Sequence, residues 1–262
     1  MKKTAQALRQ RKQENEKFSV VAAYDATFAR VLDAAGIDVI LVGDSLGMVV
    51  QGNQSTLQAS LEDMVYHTAA VSRGTSNALI IADLPFLSYA NVNQALESSA
   101  ALMRAGANMV KLEGGAWLAE TVAKLVQQGI PVCAHLGLTP QSVNKLGGYK
   151  VQGREQASKQ QLLDDAKALD DAGADFMVLE CIPTELGGEI TGSTGLSTIG
   201  IGAGAATDAQ VLVAYDILGM AEHPARFAKD FLAGQSSIES AFKQFDKAVK
   251  SGRYPQPEHE YH

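Results

Sequence analysis

Five successive apolar runs in this chain are interrupted near their C-terminal ends by groups able to do chemistry. They are Asp44 and Ser45 after Gly43, then Asp83, Lys111 with Glu113, His135, and Glu180. Burying such groups is costly unless they find partners, and repetition at one end of five runs argues against isolated core polar residues. Asp44, Asp83 and Glu113 are hard oxygen donors with no clustered cysteine or histidine beside them, which favours magnesium over zinc or copper. Magnesium takes one or two carboxylates directly and keeps several waters, so it leaves room for a chelating substrate. A 2-oxo acid is such a chelator, through one carboxylate oxygen and its keto oxygen. Bound this way, the metal polarises the carbonyl and stabilises the enolate formed when the neighbouring carbon loses a proton. Glu180 is the remaining carboxylate and the candidate base; a buried partner for a lysine or arginine is its alternative role.

These residues need a scaffold that brings successive strand ends to one place. Candidate strands fall at 19–24, 38–43, 78–83, 108–113, 131–136, 175–180, 197–201 and 210–215. Most are near-continuous runs of Val, Ile and Leu, the pattern of parallel strands covered on both faces. Helical periodicity occupies 27–35, 61–73, 91–105, 117–128 and 158–172. Gly36, Gly106, Gly129 and Gly173 suit the left-handed residue that closes a helix, and Ser60 and Asn91 suit N-caps. Eight strands with helices between them predict one (β/α)8 TIM barrel over residues 1–262, with its active site at the C-terminal strand ends. An open doubly wound sheet is the competing architecture; the count of eight and the lack of a glycine-rich turn after the first strand weigh against it. Strands seven and eight are joined by a loop alone. Residues 5–16 are expected to cap the barrel bottom, and 224–250 to supply one or two terminal helices.

Composition narrows the partners. The 262 residues are 46% hydrophobic but only 6% aromatic, so the core is aliphatic, and 19% charged, a low share that hints at surface hidden between subunits. A formal charge of −7 with no Lys/Arg-rich block argues against a nucleic-acid partner. No apolar run approaches the roughly 20 residues of a membrane span, and residues 1–17 lack the apolar core of a secretory leader. Cys133 and Cys181 sit in apolar segments without metal-ligand spacing and read as buried free thiols. A cytoplasmic location follows from these readings.

The longer runs carry a resemblance. Val42-Gly43-Asp44-Ser45-Leu46-Gly47, Ala82-Asp83-Leu84-Pro85-Phe86, Val110-Lys111-Leu112-Glu113-Gly114-Gly115, Ala134-His135-Leu136-Gly137-Leu138-Thr139-Pro140-Gln141-Ser142 and Leu179-Glu180-Cys181-Ile182-Pro183 occur in that order. So do Gly147-Gly148-Tyr149-Lys150 and Ile199-Gly200-Ile201-Gly202-Ala203-Gly204. Together they resemble the ketopantoate hydroxymethyltransferases over nearly the whole chain. That resemblance implies a barrel of the phosphoenolpyruvate/oxo-acid-binding type with helical additions at both ends. It implies transfer of a hydroxymethyl group from 5,10-methylenetetrahydrofolate to 3-methyl-2-oxobutanoate, the first step of pantothenate biosynthesis. In the family pattern Asp44 and Asp83 bind one Mg2+ per subunit, with Glu113 in its coordination sphere through water. Asp44, Ser45, Asp83, Lys111 and His135 hold the oxo acid, His135 at the oxyanion or in proton handling, and Glu180 is the base. The family also implies a homo-oligomer, a decamer. The folate contacts are not assigned; the glycine-rich turn after strand seven and the last helices are the candidate regions, and the loop 146–154 is a candidate cover over the mouth.

The stretch from Gly187 to Ser197 departs from the family pattern, which is more helical there. Its four glycines, each costing about 1 kcal/mol against alanine inside a helix, predict a short or loosened sixth helix. Two other readings compete. A magnesium-dependent C–C lyase or mutase acting on another 2-oxo acid is separated by folate dependence. A non-catalytic oxo-acid or folate-binding barrel predicts losses among Asp44, Asp83, Lys111, Glu113 and Glu180, and all five are present.

Overall fold

In the computed structural model, which describes residues 2–262, eight parallel strands close on themselves. They are β1 (Phe18–Ala22), β2 (Val39–Val42), β3 (Leu79–Asp83), β4 (Met109–Glu113), β5 (Val132–Gly137), β6 (Phe176–Glu180), β7 (Ser197–Ile201) and β8 (Ala209–Val213), with β8 pairing back onto β1. Every strand lies within about two residues of its expected position. The strands are buried almost throughout because side chains on one face fill the barrel while those on the other meet the surrounding helices.

The helices Ala26–Ala35, Leu61–Gly74, Val92–Ala105, Ala119–Gln127 and Gln156–Asp171 form where the periodicity placed them. Asn91 caps its helix by accepting from Gln94 N, and Ser60 forms a reciprocal capping box with Asp63. Gly36, Gly106, Gly129 and Gly173 all have positive φ, so each reverses the chain as its position after a helix required. β7 and β8 are joined by residues 202–208 without a helix, as expected. Both cysteines are free and buried, and burial pushes each thiol up to about 12.

The sequence expectation needs revision in one place and is narrowed in another. The segment after β6 is not a shortened helix but ten residues, Thr184–Ser193, three of them glycine. A Cβ at Gly187 would lie 2.2 Å from the carbonyl oxygen of Ala203, so glycine lets this helix lie against the turn after β7. Close packing thereby outweighs poor propensity. At the C-terminus only Ile238–Lys250 is a long helix; 224–237 forms turns, with Asp230 accepting from Leu232 N and Ala233 N.

The helix Ala5–Glu14 seals the barrel bottom through its basic residues. Arg9 meets Asp175 before β6, Arg11 meets Asp38 before β2, and Lys12 meets Asp208 before β8. Asp38 is fully buried and also receives Lys3 at 2.7 Å, Lys250 at 2.9 Å and the backbone N–H of Ser19. With the bottom closed, the C-terminal ends of the strands are left as the open face.

Candidate active site

Period-two alternation within the strands decides which side chains enter the barrel mouth. In β4, Lys111 and Glu113 are two residues apart and share a face. Lys111 is in register with Asp83 on β3, and Glu113 with His135 on β5. Asp44 and Ser45 follow Gly43 just beyond the end of β2, and Glu180 ends β6. Asp44, Asp83, Lys111, Glu113 and His135 are each no more than 4% exposed, so their charges must be balanced among themselves.

The balance is visible in the contacts. Lys111 Nζ lies 3.0 Å from Asp83 Oδ2 and 3.7 Å from Glu113 Oε1. His135 Nδ1 lies 3.3 Å from Glu113 Oε1, and its Nε2 lies 3.4 Å from Glu180 Oε2. Burial opposes the charge on Lys111, but Asp83, Glu113 and Asp44 outweigh it and hold the ammonium protonated. Burial and Lys111 oppose a charged His135, yet Glu113 and Glu180 raise it to about 9. Asp44 is pushed upward by burial and by the charges of Asp83 and Glu113; burial also raises Asp83, against the pull of Lys111. Glu113 is lowered: burial works against its charge, but His135 and Lys111 prevail.

All six predicted side chains, with Ser45, line one cavity of about 260 Å³ at the mouth. A hollow of about 280 Å³ near Lys229 and Arg253 lies away from them. Tyr149, from the loop at 146–154, also lines the cavity, and its hydroxyl reaches Met48 Sδ at 3.5 Å. The glycine-rich turn after β7 meets the C-terminal tail, with Ala205 N donating to Glu260; beside it, Thr184 N donates to the carbonyl of Tyr261.

Three contributors were missed from sequence. Gln141 donates from Nε2 to Asp44 Oδ2 at 2.8 Å and to the carbonyl of Leu84, while its backbone N–H donates to Glu113 Oε2 at 2.9 Å. Tyr89 donates to Gln141 Oε1 at 2.6 Å, and Tyr24 shares a 2.9 Å hydrogen bond with Ser45. Gln141 was visible in the run after β5, but an amide has no charge to mark it in a loop.

Could the acidic residues hold a metal? Among the described residues, no three or more His, Cys, Asp or Glu are arranged to enclose an ion by themselves. Asp83 Oδ1 is nevertheless buried without a hydrogen-bond partner, and the carboxylates Asp44, Asp83, Glu113 and Glu180 outnumber the cations Lys111 and His135 beside them. A hard oxygen with unfilled lone pairs among further carboxylates suits a cation that keeps much of its water, as magnesium does. The residues present fit the ion.

A closed parallel barrel whose titratable groups gather at the C-terminal mouth belongs to the TIM-barrel enzymes. Solved structures of this shape include a putative phosphonomutase from Burkholderia cenocepacia, at TM-score 0.66 and 16% identity over 83% of this chain and 95% of that one. A phosphonopyruvate hydrolase solved with oxalate and Mg++ aligns at TM-score 0.61 and 14% identity over 97% of this chain and 100% of its own. At such identities the likeness concerns fold alone. Sequence goes further, because the model of the family described as Ketopantoate hydroxymethyltransferase matches residues 2–257. The 3-methyl-2-oxobutanoate hydroxymethyltransferase 2 of Hahella chejuensis is 59% identical over 251 residues, 95% of each chain. The 3-methyl-2-oxobutanoate hydroxymethyltransferase of Klebsiella pneumoniae is 55% identical over 264 residues, 100% of each. The chain belongs to the ketopantoate hydroxymethyltransferase family and is an enzyme of that type.

Proposed function

We propose that this enzyme transfers a hydroxymethyl group from 5,10-methylenetetrahydrofolate to 3-methyl-2-oxobutanoate, giving 2-dehydropantoate and tetrahydrofolate, with water supplying the new hydroxyl. The observation that carries this reading is the gathering of Asp44, Asp83, Lys111, Glu113, His135 and Glu180 in one cavity of a chain belonging to that family. Magnesium as the ion, folate as the donor, the cytoplasm as compartment and a decamer as assembly belong to the same reading and rest on the family resemblance.

Asp44 and Asp83 would hold the magnesium directly, and Glu113 would hold it through water. When bound, the ion supplies Lewis-acid polarisation of the substrate ketone. Lys111 and Ser45 bind the oxo acid, Lys111 as a buried fixed charge and Ser45 with its hydroxyl steadied by Tyr24. Glu180 removes the proton from carbon three; His135, 3.4 Å away, orients that carboxylate and stabilises its charge. Water adds to the folate one-carbon unit and the C–N bond breaks, so that tetrahydrofolate leaves and the unit is freed at the formaldehyde level. The carbon nucleophile attacks that carbonyl carbon, whose oxygen becomes the new hydroxyl, and a quaternary carbon results. Tyr149 and Met48 narrow the mouth and limit water at the reacting carbon.

The test is product formation from 3-methyl-2-oxobutanoate with methylenetetrahydrofolate and magnesium, with each component omitted in turn. The reading expects 2-dehydropantoate only when all are present and none after chelation of the metal. Turnover of a 2-oxo acid by carbon–carbon cleavage without folate would instead establish the lyase or mutase alternative.

A further inference from the structure

One carboxylate in the catalytic cavity has no part in this scheme. Asp216 lies three residues beyond the C-terminal end of β8 and borders both the catalytic cavity and a second hollow outside it. The outer hollow, about 420 Å³, is otherwise bordered by Val49, Tyr215, Met220 and Ala221, so Asp216 is its one charged lining residue. Val49 and Met220 are exposed large hydrophobic side chains. On the inner side, Asp216 shares the cavity wall with Val213 and Phe227.

The carboxylate is partly buried and has no protein partner in this setting. Among the described residues no ion pair or side-chain hydrogen bond reaches it, and burial alone acts on it, raising its pKa above the ordinary aspartate range. A half-buried acid between apolar walls carries a desolvation penalty that a donor-bearing ligand would offset.

We propose that Asp216 anchors the amino-oxo edge of the reduced pterin, whose ring lies across the junction of the two hollows. This rests on methylenetetrahydrofolate being the one-carbon donor. The chemistry is complementary: the pterin N3–H and 2-amino N–H point the same way and match the two oxygens of one carboxylate. The flat ring is apolar on both faces, as the walls formed by Val49, Met220, Val213 and Phe227 require. N5, which carries the one-carbon unit, belongs to the ring away from the C2–N3 edge. An anchor at Asp216 through N3–H and the 2-amino group therefore turns that unit inward, towards the carbon activated by Glu180. Asp44, Asp83 and Glu113 are occupied at the cavity floor, and Glu180 is committed to the proton.

The test pairs a protein change with a ligand change. Calorimetry on the magnesium-loaded enzyme compares tetrahydrofolate with its 2-desamino analogue, in wild type and Asp216→Asn. Losing a charged acceptor should weaken tetrahydrofolate binding by about tenfold to a hundredfold. Wild type should discriminate against the desamino analogue by a similar factor, and the variant should lose that discrimination, an outcome that a purely structural role does not produce. KM for the folate donor should rise with Kd, while the affinity for 3-methyl-2-oxobutanoate changes by less than about threefold, the scatter expected between uncoupled sites. Wild-type indifference to the 2-amino group overturns the proposal without any variant, and so does unaltered tetrahydrofolate binding by a folded Asp216→Asn. If wild type neither binds tetrahydrofolate nor uses its methylene form, the donor assignment falls as well.

Discussion

Asp44, Asp83 and Glu113 share a buried space with a single lysine, and their orientation depends on neutral neighbours as much as on charge. The charged groups were legible in the sequence because a titratable side chain inside a run of Val, Ile and Leu is conspicuous. Gln141, Tyr89 and Tyr24 were not, since amides and phenols are ordinary in loops and cores, and only tertiary contact shows what they hold. Gln141 fixes Asp44 through its side chain and Glu113 through its backbone, and Tyr89 fixes Gln141 in turn. Replacing such a supporting group typically costs about tenfold to a hundredfold in metal affinity. Gln141→Leu should weaken Mn2+ binding by that factor, read by direct titration, because Asp44 loses its donor. Tyr89→Phe should act in the same direction but by roughly 1 kcal/mol or less. Undiminished metal affinity in Gln141→Leu would show that Asp44 is held by its backbone alone.

At the scale of elements, strands were read to within a residue or two because their burial on both faces leaves a strong apolar signature. Glycines misled where their purpose was closeness to another chain segment. In the helix Thr184–Ser193, Gly187 faces the carbonyl of Ala203, whereas a Cβ at Gly192 would meet nothing within 4 Å. Alanine should therefore have opposite effects at the two positions. Gly187→Ala is expected to destabilise by about 1–3 kcal/mol through overpacking, and Gly192→Ala to stabilise by up to about 1 kcal/mol through helix propensity. Chemical denaturation of both variants checks the pair; equal effects would mean that propensity alone governs this helix. The expected one or two terminal helices within 224–250 resolved to one, because the short turns of 224–237, closed by local bonds such as those to Asp230, leave no periodic pattern.

Across the whole molecule, the N-terminal segment and the last long helix are fastened at the barrel bottom, opposite the chemistry. Asp38 at the start of β2 gathers Lys3, Arg11 and Lys250, which come from the two ends of the chain. Burial works against its charge, but Lys250 and Lys3 outweigh this and hold its pKa below the ordinary aspartate value. A depressed folded-state pKa contributes stability that is complete above the unfolded value, about 3.9, and is lost as pH falls through the folded value. The wild type should lose stability in that acid range, and Asp38→Asn should show a shallower loss there. At neutral pH the variant should be less stable by roughly 2–3 kcal/mol, below the full penalty for breaking a buried pair because the three cations retain access to water. Urea denaturation at several pH values measures both effects. Eightfold closure was legible from strand count and spacing, while this junction required the barrel to bring residues 3, 11, 38 and 250 together.

The most direct test of the account is hydrogen exchange at carbon three of 3-methyl-2-oxobutanoate in heavy water, with magnesium and without folate. Wild type and Glu180→Gln are compared, and substrate binding is measured in parallel. The account predicts metal-dependent exchange in wild type that is lost in the variant while the oxo acid still binds. Equal exchange by both proteins would contradict it, removing Glu180 as the base.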